Sequence, residues 1–186
     1  MIRRLLSFFV IALFAVSCAT KITTDPRLAD TTLDAYRLDS GDKLRVTVFG
    51  QADLTAEYSV DGSGRVTLPL IDPVEARGQT TQELARGLED ALRQKLLRNP
   101  SVSVEVTLYR PFFILGEVNH PGQYPYVTGL TVNTAAAIAG GYTYRASMAG
   151  VTITRRLDDN MMLEGPASLD APILPGDTIM VAERLF

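Results

Sequence analysis

Five aspartates, Asp39, Asp42, Asp61, Asp72 and Asp177, are by residue type the best candidates in this chain for acid–base chemistry. Hydrolysis of a glycosidic bond needs two carboxyl groups facing one linkage, one of them kept protonated by burial. Each of these five instead stands beside Gly, Ser or Pro, as in a turn, where a carboxylate ordinarily accepts hydrogen bonds from backbone amides. The pattern predicts structural carboxylates and no catalytic residue. His120 is the only histidine, and without Cys or His partners at ligand spacing it predicts a turn residue in Asn119-His120-Pro121-Gly122, with no metal site. Gly140-Gly141 has neither the dinucleotide nor the P-loop spacing, which leaves a helix stop, and no cofactor is expected. Phe112, Phe113, Tyr124 and Tyr126 alternate as strand residues do, so packing in a core or between subunits comes ahead of stacking on a sugar. Arg155 and Arg156, close to Asp158 and Asp159, suggest a solvated hairpin end, with subunit contact as the other use.

Two small α+β units are expected to position these residues, one over 36–110 and one over 111–186. In the first, Leu44, Val46 and Val48 alternate with polar residues as in a half-buried strand. Tyr58 to Val60 and Arg65 to Leu68 flank Asp61-Gly62-Ser63-Gly64, which predicts a hairpin. Thr80 and Glu83 form a capping-box pattern, and Leu84, Leu88, Ala91, Leu92 and Leu96 then share one face of a helix running from Thr81 to Leu97. Val102, Val104, Val106 and Leu108 alternate as the next strand. In the second unit, Phe112 to Val118 and Gln123 to Val127 predict strands about the His120 turn. Thr131 caps a short helix through Ala139, and strands follow at Val151 to Thr154 and Thr178 to Ala182. Ser40-Gly41-Asp42 and Pro175-Gly176-Asp177 echo each other ahead of alternating strands; the echo fits a duplication or simply a common way to begin a strand.

The formal charge of the whole chain is -3, which disfavours nucleic acid as a partner. Arg3, Arg4 and the apolar run from Leu5 to Val16 make residues 1–17 a signal peptide, too short to span a bilayer. Cys18 is the only cysteine, so no disulfide can form within the chain. Ala15-Val16-Ser17-Cys18 resembles a bacterial lipobox, whose cysteine is acylated and becomes the mature N-terminus. A plain signal peptide with an incidental cysteine is the other reading of these residues. Acylation would hold residues 18–35 as a lipidated tether. Ala19 after the cysteine follows the pattern that sends lipoproteins generally to the outer membrane.

Tyr36 to Asp42, Tyr58 to Asp61 through Leu68 to Ile71, and Asn99 to Val102 resemble the polysaccharide export domain of Wza-type outer-membrane export proteins. Leu115 to Tyr124, followed by Ala139-Gly140-Gly141, is similar to that family's soluble-ligand-binding (SLBB) β-grasp domain. The resemblance implies an α+β chain, a small polysaccharide export domain followed by a β-grasp-like domain. Its turn residues are Gly41, Asp42, Asp61, Gly64, Gly116, Pro121, Gly122, Gly140, Gly141, Gly176 and Asp177. It also implies a homo-oligomeric ring, lipid-anchored on the periplasmic face of the outer membrane, which carries polysaccharide as cargo with an inner-membrane co-polymerase. Larger family members carry further β-grasp repeats and a C-terminal pore helix. Because this sequence ends at Phe186 after a strand, a separate outer-membrane pore protein is expected, or a ring stopping at the inner leaflet. The alternative reading is a periplasmic module that binds a soluble oligosaccharide without transport, and a glycan-processing enzyme is the third.

Overall fold

The computed structural model describes residues 36–157 and 161–185, so Cys18, Asp158 and Asp159 lie outside the described residues. Two apolar cores lie along the chain. The first gathers residues between Leu38 and Val104. The second gathers residues between Phe112 and Val181.

The first core forms around strand β1 (Lys43–Val48), which runs antiparallel between β2 (Ala56–Ser59) and β5 (Val102–Leu108). Its alternation turns Leu44, Val46 and Val48 inward, as the period of a strand requires. Helix α1 (Thr81–Lys95) closes that face with Leu84, Leu88 and Leu92, all fully buried. Burying each of these leucines contributes about 1.5–3 kcal/mol. The capping box forms: Thr80 Oγ1 accepts from the Glu83 amide at 3.2 Å, and Glu83 Oε2 accepts from the Thr80 amide at 2.8 Å. The helix stops two residues earlier than the apolar spacing suggests. The Leu92 carbonyl takes the amides of both Leu96 and Leu97, which breaks the helical ladder and leaves Leu96 43% exposed.

The expected hairpin about Asp61 is half present. The turn forms, with Asp61 Oδ1 accepting from the Ser63 amide (2.8 Å), the Ser63 hydroxyl (2.6 Å) and the Arg65 amide (3.0 Å). The ladder does not: β2 pairs with β1, whereas β3 (Arg65–Val66) pairs with β4 (Val74–Glu75). Gly64, at φ +85°, turns the chain beneath Arg77, where a Cβ would lie 2.7 Å from Arg77 Cβ. This turn redirects the strand to its second partner.

The second core lies on one face of a five-stranded sheet in the order β7-β6-β10-β8-β9. Strand β6 (Phe112–Gly116) runs parallel to β10 (Thr178–Val181), and the pairs to β7 (Gly122–Tyr124), β8 (Val151–Arg156) and β9 (Met162–Ala167) are antiparallel. Helix α2 (Val132–Ile138) contributes Val132, Ala135 and Ala136 to the core. Thr131 caps it, as expected. Strand β6 ends at Gly116, short of the expected Val118, because that residue has φ +84° and a Cβ there would overlap the Val181 carbonyl oxygen. Strand β7 is likewise shorter than expected. Strand β9 has no counterpart among the expected strands, and its Pro166 is tolerated because β9 is the sheet edge.

Among the described residues, no helix is long and apolar enough to cross a membrane.

Candidate functional site

The two echoing turns share one geometry. At the first, Asp42 Oδ2 accepts from the Asp39 amide at 2.9 Å, and the Asp42 amide returns a bond to the Asp39 carbonyl at 3.2 Å. At the second, Asp177 Oδ2 accepts from the Leu174 amide at 2.8 Å, and the Asp177 amide returns to the Leu174 carbonyl at 3.1 Å. Gly41 (φ +96°) and Gly176 (φ +85°) precede the two aspartates in conformations that L side chains rarely adopt. Both aspartates are buried, so each carboxylate needs compensation from within the protein.

That compensation comes from arginines. Asp42 Oδ1 accepts from the Arg110 amide at 2.9 Å, Oδ2 accepts from the Tyr36 hydroxyl at 2.7 Å, and the Arg110 guanidinium lies 3.5 Å away. Arg110 Nη1 also donates to the Tyr36 hydroxyl at 2.7 Å. Burial pushes the Tyr36 phenol up, which keeps it a hydrogen-bond donor at neutral pH. Asp177 takes the Arg155 fork, with Nε to Oδ1 at 3.0 Å and Nη2 to Oδ2 at 2.7 Å. Burial raises the Asp177 carboxyl, and the Arg155 guanidinium pulls against it. Arg155 is therefore a buried partner, and the expected solvated hairpin end describes Arg156 alone. Strand alternation separates the neighbours: Arg155 points into the core and Arg156 to the outer face.

The echo places both turns at Arg110, between the two cores. A Cβ on Gly41 would meet Arg110 Cβ at 3.6 Å, and one on Gly176 would lie 2.6 Å from Arg110 Nε. The Asp61–Gly64 turn joins them through Arg77, which donates to the Gly62 carbonyl (3.1 Å), Ser40 Oγ (2.6 Å) and Asp39 Oδ1 (3.0 Å). Burial raises the Asp39 carboxyl, but the Ser40 amide and the guanidiniums of Arg110, Arg77 and Arg156 outweigh it and hold it below the usual carboxylate range. A small notch of about 30 Å³ opens here, walled by Arg37, Asp39, Arg77, Arg110 and Arg156. A wider open cleft of about 550 Å³ lies between the start of α1 and β5, lined by Tyr36, Gln82, Glu83, Arg86, Glu105 and Tyr109 among others.

The remaining motif residues form a second group away from this junction. Asn119 Nδ2 donates to the Gly140 carbonyl at 2.7 Å, and the Asn119 and His120 amides bond to the carbonyls of Gly141 and Ala139. Gly140 and Gly141 have φ +83° and +88°, and a Cβ on Gly140 would overlap His120 Nδ1. These contacts pin the His120 turn, with Pro121 leading into Gly122 at the start of β7, onto the end of α2. Phe112 and Tyr126 are buried, Tyr124 stacks on Phe112 at 5.9 Å, and Phe113 alone of the four aromatics faces outward. Sequence reasoning passed over Arg77 and Arg110. The signal available was that two aspartates placed to be buried require cations, though nothing in the spacing says which.

The two cores match two family models in the same order. Residues 30–107 match the polysaccharide biosynthesis/export protein family. Residues 110–181 match the SLBB domain. The chain therefore carries an export module followed by an SLBB module. It is 38% identical over 144 residues to the exopolysaccharide production protein ExoF of Rhizobium meliloti (strain 1021), an alignment covering 68% of this chain and 34% of that protein. It is 26% identical over 159 residues to the polysialic acid transport protein KpsD of Escherichia coli, covering 80% of this chain and 28% of that protein. The chain thus spans about a third or less of the length of these relatives.

Proposed function

We propose that this chain is a lipid-anchored structural part of an exopolysaccharide export conduit. It stands on the periplasmic face of the outer membrane and works as a homo-oligomeric ring with an inner-membrane co-polymerase. In this reading residues 1–17 are removed, Cys18 carries the lipid, 18–35 are the tether, and the modules divide as 36–110 and 111–186. The observation that carries it is the succession of an export module and an SLBB module, with relatives named for exopolysaccharide production and polysialic acid transport. The carboxylates support a role without catalysis. Asp39, Asp42, Asp61 and Asp177 are each held by turn amides, and Asp39, Asp42 and Asp177 also by arginines.

The decisive measurement is extracellular polymer from a deletion strain and from a Cys18→Ala strain. The expected outcome is polymer retained in both and released again on complementation. Normal secretion without the gene sinks the transport role, and normal secretion with Cys18→Ala sinks the anchor. A detergent-purified protein that stays monomeric sinks the ring. The open cleft beside β5 favours a second reading, an oligosaccharide-binding module, because its volume is in the range of ligand sites. That reading predicts a monomer whose melting temperature rises with oligosaccharide fragments, in cells whose secretion does not depend on it.

A further inference from the structure

We propose that the open edge of β5 is the surface through which one copy of this chain joins the next, by taking up the β2 edge of a second copy. The proposal rests on the ring reading above and names the contact that would build the ring. Strand β1 holds both of its neighbours antiparallel, so β2 and β5 run parallel to each other on opposite sides of it. In an antiparallel ladder alternate residues exchange bonds with the partner, and those between them turn their N–H and C=O groups away. The Phe49 amide bonds to the Ser101 carbonyl at 3.0 Å, and the opposed residues Thr47 and Ser103, then Arg45 and Glu105, continue that set. On the other side the Val60 amide bonds to the Asp42 carbonyl at 2.9 Å, and Leu44 with Tyr58, then Val46 with Ala56, continue it. Val104 and Val106 therefore turn their backbone groups to the free edge of β5, and Glu57 and Ser59 turn theirs to the free edge of β2.

Sheet edges are ordinarily blocked against such pairing. In the five-stranded sheet one edge strand carries Pro166 and the other, β7, has only three residues. Strand β5 has seven residues without a proline, and at its start the Val102 amide is taken by Glu89 Oε1 at 2.9 Å. Val104 and Val106 beyond it line the open cleft beside α1. The two edges fit each other in direction and in face. With the apolar faces on one side, Val104 and Val106 stand opposite Ala56, Tyr58 or Val60 of the second copy, so that its Glu57 and Ser59 reach toward β5 as a parallel ladder requires. Charge selects the register. Glu57 and Glu105 flank Arg45 in one row, and a second copy continuing that row would set the two glutamates side by side, which is destabilising. A shift of two residues instead puts the second copy's Ser59 beside Glu105 and its Glu57 beside Ser103. The two edges are different surfaces, so the contact is heterologous, the kind whose repetition closes a ring.

The test places proline where the amide faces a free edge, a substitution that edge strands tolerate. Val106→Pro blocks β5 and Ser59→Pro blocks β2, while Val106→Ala trims the same side chain and keeps its amide. The detergent-purified proteins are compared by sedimentation, and melting curves establish that the variants fold. The expected result is a ring for the parent and for Val106→Ala, and monomers for each proline variant alone. Mixing the two proline variants should give one-to-one dimers, since each supplies the edge that the other lacks. A thiol pair covers the case in which proline unfolds the strand. Neighbouring strands lie about 4.8 Å apart, so a short bifunctional reagent should link copies carrying both Ser59→Cys and Glu105→Cys, and should link neither single variant nor the parent. A ring that persists in a folded proline variant, or that stays unlinked when both cysteines are present, overturns this contact and leaves the ring reading standing. A monomeric parent removes the ring reading and the contact with it.

Discussion

Replacing Arg155 by glutamine leaves the Asp177 carboxylate, 1% exposed, without its cation. The wild-type guanidinium donates to Asp177 at 2.7 and 3.0 Å and to the Pro172 carbonyl at 3.2 Å, and its own side chain is 5% exposed. Water cannot take over these bonds without opening the core around β8 and β10. Removing one partner of such a buried pair costs about 3–5 kcal/mol. At about 1.4 kcal/mol per tenfold, the folded-to-unfolded ratio of the SLBB module falls by roughly two to three and a half powers of ten. Small domains are stable by about 5–15 kcal/mol, so the loss takes a substantial share of that module's margin. The neighbouring Arg156→Gln is the internal control. Its side chain is 48% exposed and its only described carboxylate partner is at 3.6 Å, so its change lies within about 0.5 kcal/mol. Urea unfolding of the two variants and the parent measures both effects. If Arg155→Gln and Arg156→Gln differ by less than about 1 kcal/mol, the buried-clamp reasoning is refuted.

Three further outcomes are expected. Gly116→Ala combines φ +84° with overlap on the Val181 carbonyl and should cost about 2–4 kcal/mol, whereas Gly129→Ala, at φ +88° with open space around it, should cost about 1–2; chemical denaturation ranks them, and equal losses refute the steric part. Thr80→Ala removes the cap of α1 and should cost about 1 kcal/mol, seen as a drop of a few degrees in Tm. The pH dependence follows from Asp39, whose carboxyl is held below its ordinary range in the folded chain. The unfolded chain then takes up the proton first as pH falls, so the stabilisation is present above about pH 4 and is lost as pH drops through the lower folded value. The gap in stability between the parent and Asp39→Asn should therefore close on acidification, and a constant gap from about pH 6 down to pH 2 contradicts the assignment.

Features set by local periodicity were legible in the sequence. The leucine spacing and Thr80–Glu83 box gave α1, and valine alternation gave β1 and β5, because burial on one face imposes a period on the chain. Pairing was less legible. Asp61–Gly64 reads as a hairpin because its residues do turn, but nothing local says that β3 leaves for β4. Strand β9 was hidden by Pro166, which only an edge position excuses, and edge position is a property of the whole sheet. The site was half visible. Both Gly-Asp turns could be named from sequence, whereas Arg77, Arg110 and Arg155 lie 38, 68 and 22 residues from the aspartates they serve.

The likeness of the two turns extends only as far as the backbone, and the difference in their cations bears on how the modules are joined. Asp177 is served from within its own sheet: Arg155 on β8 and Asp177 at the start of β10 belong to adjacent strands, so that clamp closes whether or not the other module is present. Asp42 is served by Arg110, which sits in the short connection between β5 and β6 and uses both its amide and its side chain. The same arginine fills the space above Gly176, which only a residue without a Cβ leaves open. One side chain thus satisfies the buried carboxylate of the first module while packing on the turn of the second. Since an unpaired buried carboxylate is costly, the connection is held in the conformation that brings Arg110 to Asp42. The Gly176 turn is fixed against that conformation in turn. Two modules joined in this way move as a pair only as far as Arg110 allows, so the orientation of one module is coupled to that of the other.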